Sequence, residues 1–139
     1  MAVTGIDHIA IPTSNAERLI AFYIKMGFYI NDEKWREGQS KIFSIQVGQS
    51  KINVHPEGHT ANLRGPSAIP GCGDICFVWQ GTVDACVDML NEAEIEIISG
   101  PAPRAGAQSE RTAVSVYARD PDDNLLEWMI YLDEEMSSE

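Results

Sequence analysis

Ile6-Asp7-His8-Ile9-Ala10-Ile11-Pro12 and Gly73-Asp74-Ile75-Cys76-Phe77-Val78-Trp79 are two copies of one short strand pattern. Each is followed by an amphipathic stretch and then by further strand-like runs. These are Lys41 to Val47 and Lys51 to His55 in the first half, Ala113 to Ala118 and Leu125 to Ile130 in the second. The chain therefore reads as one module written twice. Aligning the opening strands puts Asp74 opposite His8, and aligning the closing strands puts Glu127 opposite His55. Two half-modules related by pseudo-twofold symmetry would bring these four side chains to one point. Imidazole with carboxylate is the ligand set of a divalent first-row metal that keeps open coordination positions.

Outward from these strands the local signals are plain. Ser14 or Asn15 is a natural N-cap, and Leu19, Ile20, Phe22, Tyr23 and Met26 have helical spacing before Gly27 closes the helix. Phe28 to Lys34 reads as a strand, and Gly48-Gln49-Ser50 as the turn of a hairpin. Residues 56–73 turn to Gly, Pro, Asn and Ser, a loop of the kind that often carries function. Thr82 caps a second helix with Val83, Cys86, Val87 and Leu90 on one face, Ile95 to Ile98 reads as a strand, and Gly100 to Arg111 as a second loop. The order is strand, helix, three strands, repeated. That predicts an α+β fold, two βαβββ modules forming a paired half-barrel around a metal cleft. The expected boundaries are module one at about 4–58, a linker at 59–72, module two at about 73–132 and an acidic tail at 133–139, all in one domain.

Composition narrows the function. At 139 residues and 44% hydrophobic content, the chain can bury a core without disulfides. A net charge of −11 argues against nucleic acid and anionic membranes, both of which are met with Lys and Arg. Cys72, Cys76 and Cys86 have no zinc-type spacing and read as reduced thiols of a cytoplasmic protein. No basic segment precedes an apolar run at the N-terminus, and no stretch reaches about 18 apolar residues. Small half-sheets with open edges suggest a homodimer. No Ser-His-Asp arrangement and no Gly-rich phosphate loop is visible.

With those residues in hand, the chain resembles the vicinal oxygen chelate superfamily, which includes glyoxalase I, extradiol dioxygenases and bleomycin-resistance proteins. The matching pieces are Asp7-His8-Ile9-Ala10-Ile11, the Phe22-Tyr23-Ile24-Lys25-Met26-Gly27-Phe28 stretch, and Ser115 to Glu127 with its Asp120-Pro121-Asp122-Asp123-Asn124 turn. That turn usually carries Gly where this chain has Asp123. The resemblance is strongest to small glyoxalase-domain proteins sometimes labelled virulence-associated. It implies His8, His55 and Glu127 as metal ligands. The remaining position, usually His in glyoxalase I, is Asp74 here: either Asp74 completes the ligand set or it is too short to reach, leaving two His and one Glu. Mn, Fe, Ni, Co and Zn all remain open.

The expected function is a metal-dependent glyoxalase-like lyase or isomerase acting on a small molecule with vicinal oxygens, with Glu127 as base. A ring-cleaving dioxygenase and a non-catalytic antibiotic-binding protein are the alternatives. Arg104 and Arg111 flank the second loop and could hold an anionic substrate, with Tyr117 as a hydrogen-bond donor. His59, in the first loop, reads as solvent-exposed.

Overall fold

The computed structural model describes residues 2–59, 61–108 and 110–132, and the acidic tail expected at 133–139 lies outside them. The chain divides into two compact units, residues 1–73 with 121–123, and residues 74–120 with 124–139. Each holds one four-stranded mixed sheet that stays open and is not closed into a barrel.

In unit one the elements are β1 (His8–Pro12), α1 (Ala16–Lys25), β2 (Ile30–Asn31), α2 (Glu33–Arg36), β3 (Phe43–Val47) and β4 (Ser50–His55), with strand order β1-β4-β3-β2. β1 joins β4 in parallel, while β2, β3 and β4 are antiparallel neighbours. Helix α1 starts where Asn15 accepts a hydrogen bond from the Arg18 N–H at 3.0 Å. It buries Leu19, Ile20 and Tyr23, as their spacing predicts, in the same core as Ile11, Ile45, Ile52 and Val54. Asp122 accepts from the Ser14 N–H at 2.9 Å and from the hydroxyls of Thr13 and Ser14, which fixes the entry to the helix. One expectation fails here. The strand expected over Phe28 to Lys34 shrinks to Ile30–Asn31, because Glu33–Arg36 coils into a helical turn. Arg36 stabilises that turn by bridging Asp32 at 2.6 Å and Glu17 at 2.7 Å.

Unit two repeats the plan with β5 (Asp74–Val78), α3 (Val83–Glu92), β6 (Ser99–Arg104), β7 (Ala113–Arg119) and β8 (Leu125–Tyr131), in the order β5-β8-β7-β6. Thr82 caps α3 by accepting from the Ala85 N–H at 3.0 Å. Phe77, Cys86, Leu90, Val116, Leu126, Trp128 and Ile130 form the core. The expected strand at Ile95 to Ile98 is displaced. The paired segment is Ser99–Arg104, Pro-containing residues that had read as loop. Proline cannot donate to a ladder, so such a run is tolerated at a sheet edge, and β6 is an edge, with an irregularity between Ser99 and Ala102.

Candidate metal and substrate site

The parallel register of each sheet decides which side chains share a face. In unit one, His8 lies beside Lys51, Ala10 beside Asn53, and Pro12 beside His55. Because side chains alternate along a strand, these six face one way while Ile11, Ile52 and Val54 face the core. In unit two, Asp74 lies beside Leu125 and Cys76 beside Glu127, which is itself opposite Tyr117 on β7. If His8 and Asp74 are equivalent, then so are Ala10 and Cys76, and the residue matching Glu127 is Asn53. The sequence alignment that set Glu127 against His55 is therefore shifted by one residue pair; His55 lies two positions further along the same face.

His8 and His55 line one pocket of unit one, of about 240 Å³, together with Asn53, Leu63 and Arg64. The His8 Nδ1 is 2.7 Å from an Asp7 carboxylate oxygen, which fixes the ring and leaves Nε2 to offer its lone pair. His55 is held below its ordinary pKa, first by burial and then by the nearby His59 and Arg64, which favours its neutral form. His59 is not the exposed loop residue expected. Its ring is half-buried and meets that of His55 edge-on, with centroids 4.8 Å apart. The Asn53 carbonyl Oδ1 is buried without a hydrogen-bond partner among the described residues.

In unit two, Glu127 is a half-buried acid on an otherwise apolar strand. Ser115, itself fully buried, donates its hydroxyl to Glu127 Oε2 at 2.6 Å. The Cys76 thiol lies within hydrogen-bond reach of the same carboxylate. Its pKa is pushed up to about 12 by burial above all, then by the charge and hydrogen bond of Glu127 and the charge of Asp74. Asp74 is exposed at the start of β5. Arg104 donates from Nε to the Tyr117 hydroxyl at 3.2 Å and lies 5.5 Å from the ring centroid. Arg111 is set apart from that pair. It donates to Gln108 at 2.7 Å and stacks 4.3 Å from the Tyr131 ring centroid, holding the second loop against β8. The loop sits so close that a Cβ on Gly106 would fall 2.1 Å from Met129 Sδ.

Unit one thus holds the imidazoles of His8 and His55, with His59 packed on His55, and unit two holds two carboxylates and a thiol. Among the described residues, no group of three or more His, Cys, Asp or Glu side chains is gathered as a metal site. The donors nevertheless suit a divalent first-row ion in their chemistry. His8 has one ring nitrogen tied to a carboxylate and the other free, and Glu127 is oriented by a hydroxyl, the kind of outer support that metal ligands use. Sequence reasoning missed Asn53, Arg64 and Ser115. Alternation along Lys51-Ile52-Asn53-Val54-His55 could have placed Asn53 beside His55 on the open face. Nothing in the sequence marked Arg64 or Ser115.

Two open βαβββ sheets, each with polar side chains along one face, define a protein of the glyoxalase fold class. The chain matches the model of the Glyoxalase/Bleomycin resistance protein/Dioxygenase superfamily over residues 5–128, and it belongs to that superfamily. It is 32% identical over 133 residues to Virulence protein STM3117 of Salmonella typhimurium, covering 95% of this chain and 88% of that protein. The crystal structure of that protein superposes with a TM-score of 0.83, covering 94% of this chain and 99% of the other. It is also 30% identical over 133 residues to Glyoxalase domain-containing protein RDO1 of Mycosarcoma maydis, covering 96% of this chain and 72% of that one. The lactoylglutathione lyase of Agrobacterium tumefaciens, at 19% identity and a TM-score of 0.67 over 94% of this chain and 96% of that one, shares the fold.

Proposed function

We propose that this protein is a metal-dependent lyase or isomerase acting on a small molecule with vicinal oxygens, with His8, His55, Asp74 and Glu127 as ligands. The observation that carries the reading is Glu127, a half-buried acid on an apolar strand, oriented by the buried Ser115 hydroxyl at 2.6 Å. An acid kept there for packing alone would cost folding energy without return. A bound divalent ion would polarise a substrate carbonyl and stabilise the charge that develops on its oxygen. Glu127, displaced from the ion by the arriving substrate, would then serve as base. With Oε2 held by Ser115, Oε1 is the atom left to take a proton from the carbon next to that carbonyl. Tyr117 accepts from Arg104, which leaves its own phenol proton free to be donated to a substrate oxygen. Arg111, engaged with Gln108 and Tyr131, keeps the second loop in place and so shapes the same face. The same reading takes the protein as cytoplasmic and dimeric. Among the described residues no helix is long and apolar enough to cross a membrane.

Metal analysis tests the assignment. Wild-type protein purified without a His tag should carry about one divalent ion per chain, and Glu127→Ala should lose it. The melting temperature should fall with it, because an ion that binds only the folded chain stabilises that state. Unchanged metal content in the variant removes Glu127 from the ligand set. No metal in the wild type, even after reconstitution, favours the binding-protein alternative.

A further inference from the structure

The pocket of unit one lined by His8 and His55 places an arginine beside two imidazoles. Its lining holds His8, His55, Asn53 and Arg64, walls of Ala10, Ile11 and Leu63, and no acid. Asp7 lies next to it, already bonded to His8. On a chain of net charge −11, an arginine with no hydrogen-bonding partner stands out. Arg36 pairs with Glu17 and Asp32, Arg18 reaches Ser14, Arg104 reaches Tyr117, and Arg111 reaches Gln108. Arg64 alone has no hydrogen bond or ion pair among the described residues, and it shares the pocket lining with His55. A short way along the same lining, Asn53 Oδ1 is a buried acceptor with no donor, a state that costs folding energy until something supplies a proton.

We propose that this pocket binds a small hydroxycarboxylate, with the carboxylate taken by the Arg64 guanidinium and a hydroxyl donated to Asn53 Oδ1. The planar guanidinium fork matches two carboxylate oxygens. A phosphate dianion would call for more than the single arginine that the lining supplies. The volume of about 240 Å³ is below the range of drug-sized sites and suits a metabolite with a short apolar body against Ala10, Leu63 and Ala68. The assignment deepens the proposed function by naming its substrate class, and it rests on that function only in taking the His8–His55 face as the one that meets substrate.

Three isosteric probes separate the two contacts: mandelate, phenylacetate without the hydroxyl, and mandelamide without the charge. Their dissociation constants are measured by NMR titration on the full chain, with chelator present and again after metal addition. Wild type should bind mandelate about tenfold or more tightly than mandelamide, as expected for a charge-assisted contact, and several-fold more tightly than phenylacetate. Arg64→Gln, at an exposed position, should abolish the charge discrimination and keep the hydroxyl discrimination. Arg64→Lys should restore part of the first. Asn53→Leu should do the reverse of Arg64→Gln, and Asn53→Ala covers the case in which Leu disturbs the strand. Equal binding of mandelate and mandelamide, no binding of any probe, or discrimination that survives in Arg64→Gln overturns the assignment. So does discrimination that appears only after metal addition, because the ion and not Arg64 would then hold the carboxylate. Since the deciding titration is run without metal, loss of the metal reading alone leaves its outcome intact.

Discussion

Glu127 and Cys76 face each other across β8 and β5, so each reports on the other. A thiol pushed up to about 12 stays protonated at pH 8; the Cys76 residue meets solvent, but its sulfur is partly covered and faces the Glu127 carboxylate. Iodoacetamide at pH 8 should therefore modify the exposed Cys72 and leave Cys76 and the buried Cys86 nearly untouched. Cys76 should react appreciably only as the pH climbs towards 12. In Glu127→Gln the charge next to the thiol is gone while burial, the larger cause, remains, so the Cys76 labelling rate at pH 8 should rise but stay below that of Cys72. Peptide mass spectrometry reads all three sites, and an unchanged Cys76 rate would separate the two side chains. Ser115 is the complementary probe. Ser115→Ala should weaken metal binding about 10- to 100-fold, the usual effect of removing a group that orients a ligand, and Ser115→Thr should recover most of it. Equal metal affinity in Ser115→Ala would leave the hydroxyl with a packing role alone. His8, His55, Asp74 and Glu127 drew attention in the sequence because their residue types stand out in apolar strands. Ser115 and Asn53 were not, because a serine or asparagine in a strand reads as an ordinary outward-facing residue until cross-strand register is known.

The two long helices show how much of an element is written locally. Both were legible from apolar spacing and N-caps, and Asn15 and Thr82 both accept the hydrogen bond that their positions predict. Their ends differ. α1 is followed by Gly27 at φ +90°, a left-handed conformation that glycine adopts freely. After α3 the same role falls to Glu94 at φ 60°, where a Cβ crowds the following carbonyl. Relieving that strain is worth about 1–2 kcal/mol, and the extra freedom of glycine in the unfolded chain takes back about 0.4–1 kcal/mol. Glu94→Gly should therefore stabilise the fold by about 0.5–1 kcal/mol in chemical denaturation, whereas Gly27→Ala should destabilise it by a similar amount or more. A Glu94→Gly variant less stable than wild type would show that the side chain holds contacts worth more than the strain. The strand β6 was illegible for the opposite reason. Ser99–Arg104 has two prolines and a glycine, poor strand residues anywhere but at an edge, and only tertiary pairing with β7 makes it a strand.

At the scale of the whole molecule, one plan is written twice and then given unlike chemistry, imidazoles with a loop arginine beside them in one unit, carboxylates in the other. The duplication was legible because the opening strands and the closing hairpins repeat. The one-pair shift between Asn53 and His55 was not, since counting residues cannot see where a hairpin sets its register. The duplication also leaves open edges. β1 and β5 each pair on one side only within their sheets, and they present Ile9 and Val78 to solvent, the latter 68% exposed. Unpaired edges with apolar side chains favour closed twofold association. Opposing it is the charge of −11 on each copy, which repels a second copy over about a Debye length. The two forces respond differently to salt. Apolar contact persists, while the repulsion is screened from a range of about 30 Å at 0.01 M to about 3 Å at 1 M ionic strength. The protein should therefore be a dimer by light scattering at micromolar concentration in 0.15 M salt, and its dissociation constant should fall further as salt is raised. Val78→Lys should shift it towards monomer at every salt concentration, by placing a charge on the exposed edge. A monomer throughout the salt series removes the dimer; a dimer that weakens with salt would mean that ion pairs, and not apolar edges, hold the copies together.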